Sequence, residues 1–152
     1  MRGVSDGGEK GRRMQAQDRE KRIGRCHCGA VEIAIPADTD FSGAGRCDCS
    51  FCCRRWAPNA TVNRHDVDII KGVDMLTCYQ FNTGTAEHYF CARCGIYTHH
   101  RRRSNPDECG VNIGCFDGVT MADYNDATIF DGVNHPSDGW GVQGNLLLFF
   151  NH

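Results

Sequence analysis

A chain of 152 residues, 40% of them hydrophobic, is long enough for one domain with its own core. Its net charge of −2 excludes a surface built mainly for nucleic-acid phosphates, and no apolar run approaches the roughly 20 residues that a membrane-spanning helix needs. Eighteen glycines, four prolines and no long helical periodicity point to strands and turns, a mainly β chain.

Residues 1–22 are rich in Gly, Arg, Lys, Asp, Glu and Gln, and only Met1, Val4, Met14 and Ala16 among them are apolar. Such a segment buries too little surface to offset its ordering entropy, so it is expected to be a disordered tail ahead of a domain over 23–152. Asp6, Glu9, Asp18 and Glu20 break the acid-poor rule of a mitochondrial presequence, and no apolar h-region marks a secretory signal. A cytoplasmic location is the expectation, and Met14 is a second candidate for the start.

Order is expected from Gly24, where Cys26 and Cys28 form a C-x-C and Val31, Ile33 and Ile35 alternate as a half-buried strand. His27 faces away from its two neighbours on an extended backbone and is expected to be exposed. A Ser42–Gly45 loop leads into Arg46-Cys47-Asp48-Cys49-Ser50-Phe51-Cys52-Cys53-Arg54-Arg55, which holds four of the eleven cysteines in seven positions. C-x-C-x-x-C can present Cys47, Cys49 and Cys52 to one metal, zinc or an iron–sulfur cluster by the softness of the ligands. Three ligands leave a fourth place open, as in catalytic zinc sites. Two plainer readings stand beside this one. A disulfide framework needs an oxidising compartment, and a structural zinc could be closed by Cys53 or His65.

Further on, Ala60–Val62, Val67–Ile70 and Met75–Phe81 are strand candidates, the last followed by the turn Asn82–Thr85. Cys91-Ala92-Arg93-Cys94-Gly95 is a C-x-x-C with the glycine that lets a knuckle turn back on its thiolates. It would complete a four-thiolate site with Cys26 and Cys28, across 63 positions from Cys28 to Cys91. Closing so long a loop through a metal would stabilise a small β domain strongly. Thr98-His99-His100-Arg101-Arg102-Arg103 could bind an anion or form an edge strand with solvated charge. Val111 and Ile113 alternate into Cys115 as another strand, with Cys78, Cys109 and Cys115 as packing residues. Trp140 and Leu146–Phe150 close the chain, the latter as a short packed strand.

These motifs together resemble the glutathione-dependent formaldehyde-activating enzyme family (the centromere-protein-V type of zinc domain). They are G-x-C-H-C-G-A-V, C-x-C-S-x-C before two basic residues, and F-C-x-x-C-G-I; the resemblance as a whole spans Ile23–His135, and the stretch from Thr98 to Cys115 looks like one branch of that family. The resemblance implies a zinc-stabilised β-tent of stacked antiparallel sheets. It implies a structural zinc on Cys26, Cys28, Cys91 and Cys94, and a second zinc on Cys47, Cys49 and Cys52 at the active site. The implied reaction is carbon–sulfur lyase chemistry, with formaldehyde and glutathione giving S-hydroxymethylglutathione. Cys53 is an extra thiol, and Trp56-Ala57 stands where family members often carry glycine and a small residue, which opens the question of the aldehyde.

Three thiolates around Zn²⁺ carry a net charge of about −1 and make a weak Lewis acid, better suited to holding a thiol than to generating hydroxide. Arg46, Arg54 and Arg55 would offset that charge and steer an anionic thiol. Arg54, Arg55 and Trp56 are the residues expected to contact it. The expected partners are glutathione or another small thiol and an aldehyde, with no nucleic acid and no membrane, and with room for a homodimer. Formaldehyde reacts with thiols unaided, so a zinc-dependent thiol carrier or a zinc-stabilised interaction module are the alternatives to an enzyme.

Overall fold

The computed structural model describes residues 19–134. The expected tail up to Asp18, and the expectations for His135, Trp140 and Leu146–Phe150, lie outside the described residues. The first strand, β1 (Lys21–Arg25), begins two residues before the expected boundary, so Lys21 and Arg22 belong to the folded part. It pairs antiparallel with β2 (Glu32–Pro36) from Lys21↔Pro36 to Arg25↔Glu32. After β3 (Gly45–Cys47), α1 (Cys52–Arg55) and β4 (Asn59–Asn63), the strand β5 (Asp68–Lys71) joins the other side of β2. The result is a three-stranded antiparallel sheet, β1-β2-β5.

The remaining strands are β6 (Leu76–Tyr79), β7 (Glu87–Cys91), β8 (Tyr97–Arg101), β9 (Glu108–Asn112) and β10 (Thr128–Phe130), with α2 (Met121–Asn125) before the last. They form a seven-stranded sheet in the order β10-β3-β4-β9-β8-β7-β6. Its pairings are antiparallel apart from β10 with β3. The chain is thus mainly β, one small domain of stacked sheets.

Ile33 and Ile35 of β2, with Val31 just before it, meet Ala60, Val62, Val111, Ile113 and Phe116 in one apolar cluster. Each of the large aliphatic side chains buried there contributes about 1.5–3 kcal/mol. Ala34 and Pro36 are buried as well, so side chains of both alternations are buried along β2, the middle strand of its sheet, rather than one face alone. The chain departs from expectation in other places. β8 is interior, between β7 and β9, so Thr98 and His99 are buried rather than on an edge. β9 stops at Asn112, whose side chain accepts a 3.0 Å hydrogen bond from Gly114 N–H and starts a 3-10 turn over Ile113–Cys115. The strand expected over Met75–Phe81 is confined to Leu76–Tyr79 behind a 3-10 turn at Val73–Met75. Cys78 there is exposed, while Cys109 and Cys115 are buried as packing residues.

Candidate metal centres

Two turns of the same design meet at the first cysteine group. The β1–β2 turn is closed by Cys26 N–H to Val31 O at 3.1 Å, with Gly29 at φ 68°. The β7–β8 turn is closed by Cys91 N–H to Ile96 O at 2.9 Å, with Gly95 at φ 73°. Both glycines stand in the left-handed region, where a side chain would be strained. Cys26, Cys28, Cys91 and Cys94 bring their sulfurs within 4.8 Å of one another. Cys26 Sγ lies 3.7 Å from Cys28 Sγ, and Cys28 Sγ lies 3.8 Å from Cys91 Sγ. A tetrahedron with metal–sulfur bonds of about 2.3 Å has an edge of about 3.8 Å, so these four thiols fit a zinc ion. The Val31 N–H donates to Cys26 Sγ at 3.2 Å. Because one turn belongs to the three-stranded sheet and the other to the seven-stranded sheet, a metal here would bolt the two together.

The second group is more local. Cys47 ends β3, Cys49 lies in the bend after it, and Cys52 opens α1; their sulfurs also lie within 4.8 Å of one another. Each receives a donor. Cys49 N–H points to Cys47 Sγ at 3.5 Å, Cys52 N–H to Cys49 Sγ at 3.4 Å, and the Arg55 guanidinium to Cys52 Sγ at 3.4 Å. Hydrogen bonds from Cys47 and Cys52 hold the Cys49 thiol far below the ordinary range. The same contacts, to Cys47 and Cys49, push Cys52 well up, with burial adding to them, and the bond to Cys49 pushes Cys47 up. A soft divalent ion that takes all three sulfurs as thiolates would release their protons on binding. Neither other candidate ligand joins this group. Cys53 is exposed with its Sγ on Ser50 O at 3.4 Å, and His65 sits on an exposed 3-10 turn.

The basic residues after the cysteines take different directions. Arg54 is exposed and its guanidinium donates back to Ser50 O. Arg55 turns inward, with Nη1 3.0 Å from His88 Nδ1 and its guanidinium 3.6 Å from the Tyr97 ring centre. Arg46 is buried on the other side of β3, its guanidinium 5.2 Å from the Trp56 ring and donating to Trp56 O at 2.9 Å. Trp56 ends α1 at φ 51°, the left-handed C-cap position that glycine usually fills.

Of the residues behind the second group, His88 was not singled out from the sequence, and His100 was read only as part of a stretch that could bind an anion or form an edge strand. An arginine can only donate, so His88 Nδ1 is the acceptor and its ring is the neutral Nε2–H form. Burial first, then the Arg55 charge, lowers His88 to about 4. His88 stacks on His100 at 5.2 Å, and His100 Nδ1 lies 2.5 Å from the Tyr97 hydroxyl, which donates to Asn59 Oδ1 at 2.6 Å. Phe51, inside the cysteine loop, packs on His88 at 4.5 Å, Tyr79 at 5.2 Å and Phe81 at 5.4 Å. From far along the chain, Gly132 N–H donates to Asp48 Oδ1 at 2.7 Å, and a Cβ on Gly132 would stand 2.1 Å from Cys47 Sγ. A glycine in the turn-like run Asp131-Gly132-Val133-Asn134 is the one signal in the sequence that could have pointed there.

A family model described as glutathione-dependent formaldehyde-activating enzyme matches residues 21–130. A crystal structure of a Rhodobacter sphaeroides protein is 51% identical, covering 71% of this chain and 99% of its own, with a TM-score of 0.67. The residues matched by the family model include both cysteine groups. No helix among the described residues is long and apolar enough to cross a membrane.

Proposed function

Since the chain belongs to the glutathione-dependent formaldehyde-activating enzyme family, we propose that it is a zinc-dependent carbon–sulfur lyase acting on glutathione–aldehyde adducts in a reducing compartment such as the cytoplasm. Cys26, Cys28, Cys91 and Cys94 would hold a structural zinc, and Cys47, Cys49 and Cys52 a second one at the active site. The observation that carries the reading is the second group, three sulfurs within 4.8 Å of one another with no fourth thiol among them. A zinc ion there supplies, when bound, a fourth place at which a substrate thiol is kept ionised at neutral pH.

The chain's own residues do the rest by placement. The loop Cys47–Cys52 fixes the three sulfurs, and Phe51 anchors that loop to β6 and β7. In the forward direction the glutathione sulfur bonds to the aldehyde carbon, the carbonyl π pair moves to oxygen, and the thiol proton ends on that oxygen. Thiols add to formaldehyde unaided, so positioning is the main contribution available to the protein. A thiol carrier without turnover is the second reading. It is favoured by the engagement of the imidazoles packed behind the loop: His88 Nδ1 takes the Arg55 guanidinium, His100 Nδ1 lies against the Tyr97 hydroxyl, and burial weakens both rings as bases.

The experiment is NMR detection of S-hydroxymethylglutathione from formaldehyde and glutathione, with zinc content measured on the same sample. A rate above the spontaneous one that scales with protein and zinc supports the lyase. Stoichiometric thiol binding at the spontaneous rate would replace it with the carrier.

A further inference from the structure

Arg54 and Arg55 follow the same cysteines, yet only Arg55 reaches a sulfur of the second group. The helical turn explains this, because residues 52 and 55 are three apart and share a face of α1. Two sulfurs of the group take their donors from backbone N–H groups of the loop itself, on Cys47 and on Cys49. Cys52 takes one from a side chain instead, the Nη2 of Arg55. The other end of the fork is held by His88 Nδ1, and the plane lies over Tyr97, whose hydroxyl is fixed by Asn59. A guanidinium held at both ends and on one face is pre-organised and has little freedom to lose.

Given the reading that Cys47, Cys49 and Cys52 hold a divalent ion, we propose that Arg55 is the positioning residue of that centre, its fixed guanidinium balancing the single negative charge that three thiolates leave on the ion. The assignment differs from a surface role in steering substrate. Arg55 Nε is buried, and both Nη groups are engaged within the protein. A charge-assisted hydrogen bond of this kind is among the stronger ones, and its loss from a partly buried anion is felt most in retention of the ion. Lysine would keep the charge but could not span Cys52 and His88 together.

The test uses full-length, zinc-loaded protein and a colorimetric zinc chelator, following release of each zinc equivalent over time. Wild type, Arg55→Gln, Arg55→Lys and the neighbouring Arg54→Gln are compared, with melting curves on each. The expected result is two release phases in wild type. In Arg55→Gln the faster phase alone quickens about ten- to hundredfold, the range of one charge-assisted hydrogen bond. Arg55→Lys falls between, and Arg54→Gln matches wild type. Equal release from Arg55→Gln and wild type overturns the proposal. So does an equal quickening of both phases, which would mean that Arg55 only supports packing against Tyr97. If Arg55→Gln does not fold, the Arg55→Lys release decides, with faster loss of the labile equivalent supporting the proposal and wild-type release overturning it. Wild type that binds a single zinc removes the metal reading itself, a failure distinct from the others.

Discussion

The two cysteine groups are built on opposite plans. The four-thiol group has distant ligands: Cys28 and Cys91 are 63 positions apart, on turns from two different sheets. The three-thiol group has ligands within one short stretch, but its supports come from afar, His88 to Arg55 and Gly132 to Asp48. In the first, a metal would hold the fold together. In the second, the fold would hold the metal. A centre of the second kind could lose its ion and keep its architecture.

The largest expected effect comes from stripping metal in steps. Structural zinc binding is worth about 10–16 kcal/mol, comparable with or above the whole stability of a small domain. Removing the more labile equivalent should leave the cooperative melt and near-ultraviolet circular dichroism in place, and removing the second should abolish both. Loss of structure with the first equivalent would break the comparison. A smaller change is expected from Gly132→Ala. A Cβ 2.1 Å from Cys47 Sγ and 3.0 Å from Cys49 Cβ forces the loop or the Phe130–Val133 segment to shift. Zinc per chain should fall from two towards one, with a melting temperature only a few degrees lower for a cost of about 1–2 kcal/mol.

How much of this was legible in the sequence differs between the groups for a physical reason. Ligand spacing and the glycines of the two knuckle turns are local properties, so the cysteine grouping followed from Cys26, Cys28, Cys91, Cys94 and Gly95 directly. What depends on packing did not. Thr98-His99-His100-Arg101-Arg102-Arg103 reads as an anion site or an edge strand because of its charge. Yet β9 covers one side of β8, and Arg101 pairs with Glu87 at 3.5 Å, which keeps charge compatible with an interior strand. Arg54 and Arg55 look equivalent in a list of basic residues, and only the phase of α1 separates them. Trp56 reads as a substrate contact, and what spacing could not foresee is its stacking with Arg46, which lies on the far side of β3 from Cys47.

Acid should sharpen the contrast by loading a histidine of β8 that is not one of the cysteine ligands. Burial lowers His99 to about 4, against an ordinary value near 6.5 in the unfolded chain. Between those values the unfolded state binds more protons, so stability present above pH 6.5 is lost as pH falls towards 4. His99→Gln should therefore show a shallower drop of melting temperature over that window. An unchanged slope would remove His99 as a source of it. The smallest effect on stability is expected at Trp56→Gly. Relief of the left-handed strain, about 1 kcal/mol, is offset by the greater freedom of glycine when unfolded and by loss of the Arg46 contact. A melting temperature within about 2 °C of wild type is the expected outcome. Any change across an aldehyde series would then report on the adduct pocket, and unchanged rates would take Trp56 out of it.

The most direct measurement compares Cys94→Ala with Cys49→Ala, by thermal melting and metal analysis of the two purified proteins. Cys94→Ala should be insoluble or lack a cooperative melt, because one of the two turns that join the sheets loses its ligand. Cys49→Ala should melt cooperatively, carry about one zinc fewer per chain and lose adduct formation above the spontaneous rate. If Cys49→Ala unfolds as completely as Cys94→Ala, the three-thiol group is a structural site, and the open-centre account is wrong.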